Sequence, residues 1–284
     1  MDSQLKQRLA MSLGSICVVT LTIMYAYSPL FKPFFVLATI ALICMALVEF
    51  YALAENKNYQ PLVSLGLISS AFYAVNTFLS LENPQLQGFP FLLLLFALVV
   101  FFLAFFRKIS HSIVNLSITA FGLIYITLPL TCILQITYFD FPTQMNDGRV
   151  WLAYVLAVTK ITDVGAYIIG KTLGKNKLAP QISPKKTVEG AIGGTLISVC
   201  TSFAFYYYFF SADQTMTLWQ SIGIGLLISL LAQAGDLGES VLKRDAGVKD
   251  SSHLPGFGGV LDVVDSLVFT LPFMYLLLQM HVIG

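Results

Sequence analysis

Nine apolar stretches, each long enough to cross a lipid bilayer, constrain this chain more than any other feature. They lie at about residues 11–28, 33–53, 61–81, 88–106, 112–136, 150–169, 190–210, 218–235 and 264–283. A helix needs about 20 apolar residues to cross roughly 30 Å of hydrocarbon. The mean hydropathy of +0.79, with 11% charged residues, lies outside the range of soluble domains. We therefore predict an all-α, polytopic integral membrane protein with about nine transmembrane helices.

The distribution of lysine and arginine predicts the orientation of these helices. If the N-terminus is cytoplasmic, thirteen of these residues fall in cytoplasmic segments, two (Lys32 and Arg149) fall outside, and Lys160 falls within a span. An excess of positive charge on the cytoplasmic side is the rule for membrane proteins. We expect a cytoplasmic N-terminus, with the loops around Lys185 and Lys249 inside and Asp213 outside.

The two halves of the chain differ in polar content. Residues 1–150 form about five spans with short connectors, and we interpret them as a transmembrane scaffold. Glu49 is the one acidic residue well inside an apolar stretch of this half; it faces a cavity, pairs with a neighbour or extends to the bilayer surface. Residues 151–284 form about four spans, and three polar segments, 160–177, 183–194 and 235–265, converge on the cytoplasmic face. We therefore predict one continuous membrane domain whose C-terminal region carries an active site at that face.

Acidic residues recur at helical spacing where the last two predicted spans meet the polar segment between them. Asp262 and Asp265 are separated by three residues, so they share a helical face. Four residues near the eighth span share a face in the same way: Asp236, Glu239, Ser240 and Lys243. Carboxylates completed by water and phosphate oxygens commonly hold Mg²⁺ beside nucleotides. We predict a magnesium site at Asp236, Asp262 and Asp265; the alternative is a set of salt bridges to the basic residues Lys243, Arg244 and Lys249.

Two further segments have the composition of phosphate-binding elements. A glycine-rich turn at residues 255–259 leaves backbone N–H groups free for phosphate oxygens, although a tight turn between two spans has the same composition. Before the seventh span, paired lysines could bind anionic lipid headgroups or a triphosphate, and nearby hydroxyl groups add donors. The candidate substrate-binding residues are Ser183, Lys185, Lys186, Thr187, Glu189, Ser240, Gly256, Gly258 and Gly259.

Asp163 belongs to the same polar region. It lies one helical turn after Lys160. Asp163 either pairs with Lys160 or lines a polar cavity.

These motifs resemble the signature of the CDP-diacylglycerol synthases (phosphatidate cytidylyltransferases), which is similar to S-x-L-K-R-x4-K-D followed by P-G-x-G-G-x-x-D-x-x-D. The matching residues are Ser240, Leu242, Lys243, Arg244, Lys249, Asp250, Pro255, Gly256, Gly258, Gly259, Asp262 and Asp265. The segment SPKKTVEG and the run Asp163-Val164-Gly165-Ala166-Tyr167 are also similar to this family. The resemblance by motif covers roughly residues 160–270.

The resemblance implies that CTP and phosphatidate react to give CDP-diacylglycerol and pyrophosphate, with Mg²⁺ as cofactor. Glu239 would then orient other groups. The candidate catalytic residues are Asp236, Lys243, Arg244, Lys249, Asp250, Asp262 and Asp265. The expected partners are CTP, phosphatidate, membrane lipid and a second copy in a homodimer, with no nucleic acid. The expected location is a bacterial cell inner membrane.

The chain departs from the family pattern at two positions and in one spacing. Phe257 stands where the family usually has histidine, and Val263 stands where it has arginine. The spacer between Asp250 and Pro255 is one residue short.

Two other functions would also place charges beside membrane spans. A transporter would carry them near the bilayer midplane in related halves, and no related halves are visible. An alcohol phosphatidyltransferase would carry an Asp-Gly-x-x-Ala-Arg motif, which this sequence lacks.

Overall fold

The computed structural model describes residues 17–106, 111–141, 147–212, 214–249 and 259–283. Its helices are, in chain order, residues 17–24 (α1), Lys32–Glu55 (α2), Val63–Glu82 (α3), Phe89–Phe105 (α4), Ser112–Gly122 (α5), Leu128–Thr137 (α6), Gly148–Leu173 (α7), Val188–Phe205 (α8), Leu218–Asp245 (α9), Val260–Val264 (α10) and Leu267–Gln279 (α11). A 3₁₀ turn at Pro84–Leu86 precedes α4, and π-helical turns at Leu123–Thr127 and Tyr206–Phe210 join α5 to α6 and extend α8.

Eight helical segments within these ranges are long and apolar enough to cross a membrane, and they match the second to ninth predicted spans. The first predicted span, 11–28, is described only from residue 17. The prediction of an all-α polytopic membrane protein is confirmed. Beyond the predicted eighth span, 218–235, α9 continues for ten more residues to Asp245. Its charged residues therefore lie on the helix itself.

Side chains at the helix starts explain where several elements begin. The Asp147 side chain accepts a hydrogen bond from Arg149 N at 2.8 Å at the start of α7. Thr217 and Gln220 form a reciprocal capping box at the start of α9. Such contacts satisfy N–H groups that have no partner within the helix.

Close packing of α7, α8 and α9 builds the framework of the C-terminal half. A Cβ atom at Gly194 of α8 would lie 2.8 Å from the carbonyl oxygen of Thr162 on α7, so only glycine permits this approach. One turn later on α8, the Ser198 hydroxyl donates to the carbonyl of Gly225 on α9 at 3.0 Å. The three helices are therefore held at short, fixed distances.

A two-stranded antiparallel hairpin, β1 (Lys177–Ala179) and β2 (Ser183–Thr187), connects α7 to α8. The sequence pattern does not predict this hairpin, because its strands are short, rich in lysine and without alternating apolar residues. Thr187 ends the hairpin and begins α8, since its hydroxyl accepts a hydrogen bond from Gly190 N at 3.1 Å.

Candidate active site

A cavity of about 490 Å³ opens between α7, the hairpin, α8 and α9. Its volume lies within the range of about 300–1,000 Å³ that is typical of small-molecule sites. Four lysines and two aspartates line it together with neutral residues, so its charged lining is predominantly positive. The lining residues are Asp163, Ala166, Tyr167, Gly170, Lys171, Lys177, Leu178, Lys185, Lys186, Thr187, Gly190, Ala191, Gln233 and Asp236.

The hairpin is fixed to α8 by the Glu189 carboxylate. One of its oxygens accepts a hydrogen bond from Lys175 N at 3.0 Å, and the other accepts a hydrogen bond from the Asn176 side-chain amide at 2.7 Å. Lys177 pairs in register with Thr187 across the hairpin. Glu189 therefore holds the loop that brings Lys177 and Lys185 to the cavity. Its role in substrate binding stays a prediction.

Three carboxylates and two ammonium groups gather at the cavity side of α7 and α9. We call Lys160, Asp163, Lys186, Asp236 and Asp265 the cavity cluster. The Lys186 ammonium pairs with Asp236 Oδ2 at 2.7 Å. Asp265 is buried, with 6% of its surface exposed, and lies within electrostatic range of Asp236 and Asp163. Like charges held this close favour a bound cation or proton.

Lys160 connects α7 to the end of α10 and to Ser266, the residue before α11. Its ammonium donates to the Val263 carbonyl at 2.6 Å and to the Ser266 hydroxyl at 3.0 Å, and it lies 3.5 Å from Asp163 Oδ2. Ser266 in turn donates to Asp163 at 3.0 Å. Both alternatives for Asp163 therefore hold, since it pairs with Lys160 and lines the cavity.

A second group, which we call the buried cluster, consists of Glu239, Lys243 and Asp262. The Lys243 ammonium contacts Glu239 Oε2 at 2.5 Å and also Asp262 Oδ1. Asp262 Oδ2 accepts a hydrogen bond from Gly259 N at 2.9 Å. Glu239 is completely buried, and no member of this cluster lines the cavity.

The predicted metal-binding aspartates are thus divided between the two clusters. Asp236 and Asp265 belong to the cavity cluster, whereas Asp262 pairs with Lys243. In the ranges that the structure describes, no three His, Cys, Asp or Glu side chains are grouped so that they could hold a metal ion. The salt bridges that the sequence left open as an alternative are present for Lys243.

The remaining predicted residues have different surroundings. Arg244 donates to the Ile182 carbonyl in the hairpin turn at 3.0 Å, so it contacts protein backbone. Lys249 is exposed and Ser240 is buried. Ser183 is half-buried on β2. Asp250, Gly256, Phe257 and Gly258 lie outside the described residues.

Several cavity residues were not assigned to the site from the sequence. Tyr167 and Lys171 follow Asp163 at intervals of four, a helical spacing that places all three on one face of α7. The Lys171 ammonium lies 5.7 Å from the centre of the Tyr167 ring. Gln233 precedes Asp236 by three residues, the same kind of signal on α9.

Comparison with known proteins identifies the family to which this arrangement belongs. A sequence profile described as the cytidylyltransferase family matches residues 6–281, nearly the whole chain. The chain belongs to this family. It is therefore a nucleotidyltransferase, and the predicted resemblance is confirmed.

Three relatives illustrate the similarity. The phosphatidate cytidylyltransferase of Chlamydia pneumoniae is 34% identical over 279 residues, which cover 92% of this chain and 88% of the relative. That of Staphylococcus aureus (strain COL) is 42% identical over 154 residues, covering 52% of this chain and 58% of the relative. That of Chlamydia muridarum is 37% identical over 161 residues, covering 56% of this chain and 53% of the relative.

Membership of a nucleotidyltransferase family suggests a requirement for a divalent metal. The cavity cluster fits such an ion in charge, because its three carboxylates exceed its two ammonium groups and one of them, Asp265, is buried. A complete cage of protein ligands is not needed, since Mg²⁺ usually binds one or two carboxylates together with substrate phosphates and water.

Proposed function

We propose that this protein is a phosphatidate cytidylyltransferase, which converts CTP and phosphatidate into CDP-diacylglycerol and pyrophosphate. The observation that carries the proposal is the lysine-lined cavity beside the cavity cluster, within a bundle of membrane-length helices. The family and the names of the relatives support this activity. A site that joins a water-soluble nucleotide to a lipid must be accessible from both phases.

The reaction forms one phosphorus–oxygen bond and breaks another. A phosphate oxygen of phosphatidate attacks the α-phosphorus of CTP, and the bond from that phosphorus to the oxygen of the β-phosphate breaks, which releases pyrophosphate. The attacking oxygen is already anionic, so no base needs to remove a proton. The protein must instead bring two polyanions together, neutralise their charge and align them.

The lysines around the cavity are suited to this task. Lys171, Lys177, Lys185 and Lys186 converge from α7 and from both strands of the hairpin. We assign Lys185 and Lys186 to the triphosphate of CTP. Charge-assisted hydrogen bonds from ammonium groups to phosphate are among the stronger polar contacts in proteins. Lys243, Arg244 and Lys249 then act indirectly. Lys243 holds the buried cluster together, Arg244 holds the hairpin turn, and Lys249 adds positive charge nearby.

Asp236 and Asp265 are the residues that would hold Mg²⁺, with Asp163 beside them. A bound Mg²⁺ would supply positive charge to the phosphate oxygens as charge develops on the leaving pyrophosphate. Asp262 is a further candidate ligand, but its carboxylate would first have to leave Lys243. Lys186 pairs with Asp236 and thus connects the triphosphate site to the carboxylates.

The activity is tested with purified protein, CTP labelled in the cytosine ring, phosphatidate and Mg²⁺. We expect label to enter a lipid product, with one pyrophosphate released per labelled lipid. Label that stays in water, or enzyme that consumes added CDP-diacylglycerol without forming it from CTP, would contradict the proposal.

We further propose a bacterial inner-membrane location with the hairpin in the cytoplasm. The pairing of Lys57 with Asp245 at 3.3 Å supports this topology, because both residues lie in segments that the charge pattern assigns to the cytoplasmic side. With the native cysteines replaced, an impermeant thiol reagent applied to intact cells should label Ser211→Cys and spare Gln181→Cys. Labelling of Gln181→Cys would overturn the topology.

The resemblance also leads us to propose a homodimer. The mass of the detergent-solubilised protein, after subtraction of the detergent, should be twice that of one chain; a single-chain mass would contradict it.

A further inference from the structure

We propose that Glu49, in the N-terminal half of the chain, is a positioning residue for the segment that carries Asp262 and Asp265. The inference rests on the site roles proposed above for these two aspartates. Glu49 lies on α2, 211 residues before its first contact in that segment. It is absent from the cavity lining, so it would act through the segment and not on a substrate.

The contact consists of two backbone hydrogen bonds to one carboxylate. Glu49 Oε1 accepts Val260 N at 2.9 Å, and Oε2 accepts Leu261 N at 2.7 Å. These N–H groups belong to the first turn of α10, where the helix offers them no acceptor. Gly259 N, the preceding donor, is bound by Asp262 itself. Glu49 and Asp262 together therefore satisfy three successive donors.

The helix that carries Glu49 is itself fixed. Tyr51, two residues later, is completely buried, and its hydroxyl donates to the Thr119 carbonyl at 2.9 Å. Thr119 also donates to the Asn115 carbonyl, and its hydroxyl accepts Leu62 N at 2.9 Å. The carboxylate thus projects from a helix whose position is set by α5 and by the start of α3.

On the other side, α9 limits the same segment. A Cβ atom at Gly235 would lie 2.4 Å from the Asp265 carbonyl oxygen, so the backbones of α9 and of this segment are in direct contact. The segment is therefore held between Glu49 and α9. A carboxylate that accepts both N–H groups sets where α10 begins, and hence where Asp262 meets Lys243 and where Asp265 meets the cavity cluster.

The test compares Glu49→Gln and Glu49→Ala with the control Glu55→Gln, which removes an exposed carboxylate from the same helix. The glutamine amide has one acceptor oxygen, so it can keep one of the two bonds. We expect kcat to fall about tenfold for Glu49→Gln and about a hundredfold for Glu49→Ala, because a donor is left unsatisfied in each case. KM for CTP should stay within about twofold, and Glu55→Gln should match the parent protein.

Hydrogen exchange gives a second measurement that does not depend on activity. Peptides covering residues 259–266 should exchange faster in both Glu49 variants than in the parent, while peptides from α8 should be unchanged. Because glutamine has the shape of glutamate, Glu49→Gln decides the question if Glu49→Ala does not fold.

Three results would overturn the inference. One is an unchanged exchange rate at residues 259–266, whether or not the protein makes CDP-diacylglycerol. A second is a raised KM for CTP with a normal kcat, which would place Glu49 in substrate binding. A third is a loss of kcat in Glu49→Gln that merely follows the loss of folded protein, measured from Tm and the amount of monodisperse protein.

Discussion

The cavity cluster and the buried cluster are built from the same residue types but differ in what they can reach. In the cavity cluster, the Asp163 and Asp236 side chains are 30% and 34% exposed and line the cavity. In the buried cluster, Glu239 is fully buried and Lys243 is only 12% exposed. Charges that line the cavity, as Asp163 and Asp236 do, can exchange a protein partner for a substrate or an ion, whereas Lys243 and Asp262 of the buried cluster connect α9 to α10.

This difference assigns separate tasks to residues that share one sequence motif. Lys243 and Asp262 join α9 to α10, and Asp265, three residues after Asp262, reaches the cavity cluster. Substitutions in the two clusters should therefore affect turnover and stability in different proportions.

The largest effect is expected in the cavity cluster. Asp265→Asn should lower kcat at least about a hundredfold, which corresponds to roughly 2.7 kcal/mol of transition-state stabilisation. Its Tm should be unchanged or higher, because one of three neighbouring negative charges is removed. The control is Asp245→Asn, at the exposed end of the same helical bundle. Near-normal Mg²⁺-dependent turnover in folded Asp265→Asn would remove this residue from the reaction site.

A substitution in the buried cluster should lower both turnover and thermal stability. Asp262→Asn should lower kcat about a hundredfold and also lower Tm, since Lys243 loses one of its two carboxylate partners. Turnover and thermal unfolding are measured on the same preparation. If Asp262→Asn and Asp265→Asn shift Tm in the same direction by the same amount, the distinction between the clusters fails.

The lysines on the hairpin should control affinity for the nucleotide. Lys185→Ala or Lys186→Ala should raise KM for CTP about tenfold to a hundredfold, because a charge-assisted contact with phosphate contributes roughly 1.5–3 kcal/mol. Lys175→Ala is the matched control, since its side chain does not line the cavity. Steady-state kinetics in CTP, at saturating phosphatidate, separates KM from kcat. Equal KM values for all three variants would exclude the hairpin lysines from the triphosphate site.

The smallest effect concerns a departure from the family pattern. Val263 is 56% exposed, and its backbone carbonyl accepts a hydrogen bond from the Lys160 ammonium. Val263→Arg should therefore fold normally and lower KM for CTP by a few-fold, because it adds a positive charge beside the cavity cluster. Val263→Leu serves as the uncharged control. A raised KM in Val263→Arg alone would show that added charge at this position opposes CTP binding.

The sequence predicted the membrane helices well, because apolar length is a local property. The spans that correspond to α2, α3 and the continuous α5–α6 helix agree with the structure to within two residues at each end. Helical spacing also placed Glu239 beside Lys243. It could not show that Asp236 pairs with Lys186, since that contact joins two segments 50 residues apart.

The parts that the sequence did not predict depend on distant contacts. The hairpin has no apolar alternation, and Glu189 and α8 hold it in place from outside. The sequence marks Glu49 as an acidic residue in an apolar stretch, but its contacts with α10 are to backbone N–H groups, which no residue type reveals.

The central claim, that the lysine-lined cavity holds CTP, is tested most directly by protection of a single cysteine. Leu178 lines the cavity, whereas Leu173 is exposed at the end of α7 outside it. In a variant in which Cys17, Cys44, Cys132 and Cys200 are replaced, CTP with Mg²⁺ should slow thiol labelling of Leu178→Cys at least about fivefold and leave Leu173→Cys unchanged. Equal labelling rates of Leu178→Cys with and without saturating CTP, in protein that still makes CDP-diacylglycerol, would contradict the account.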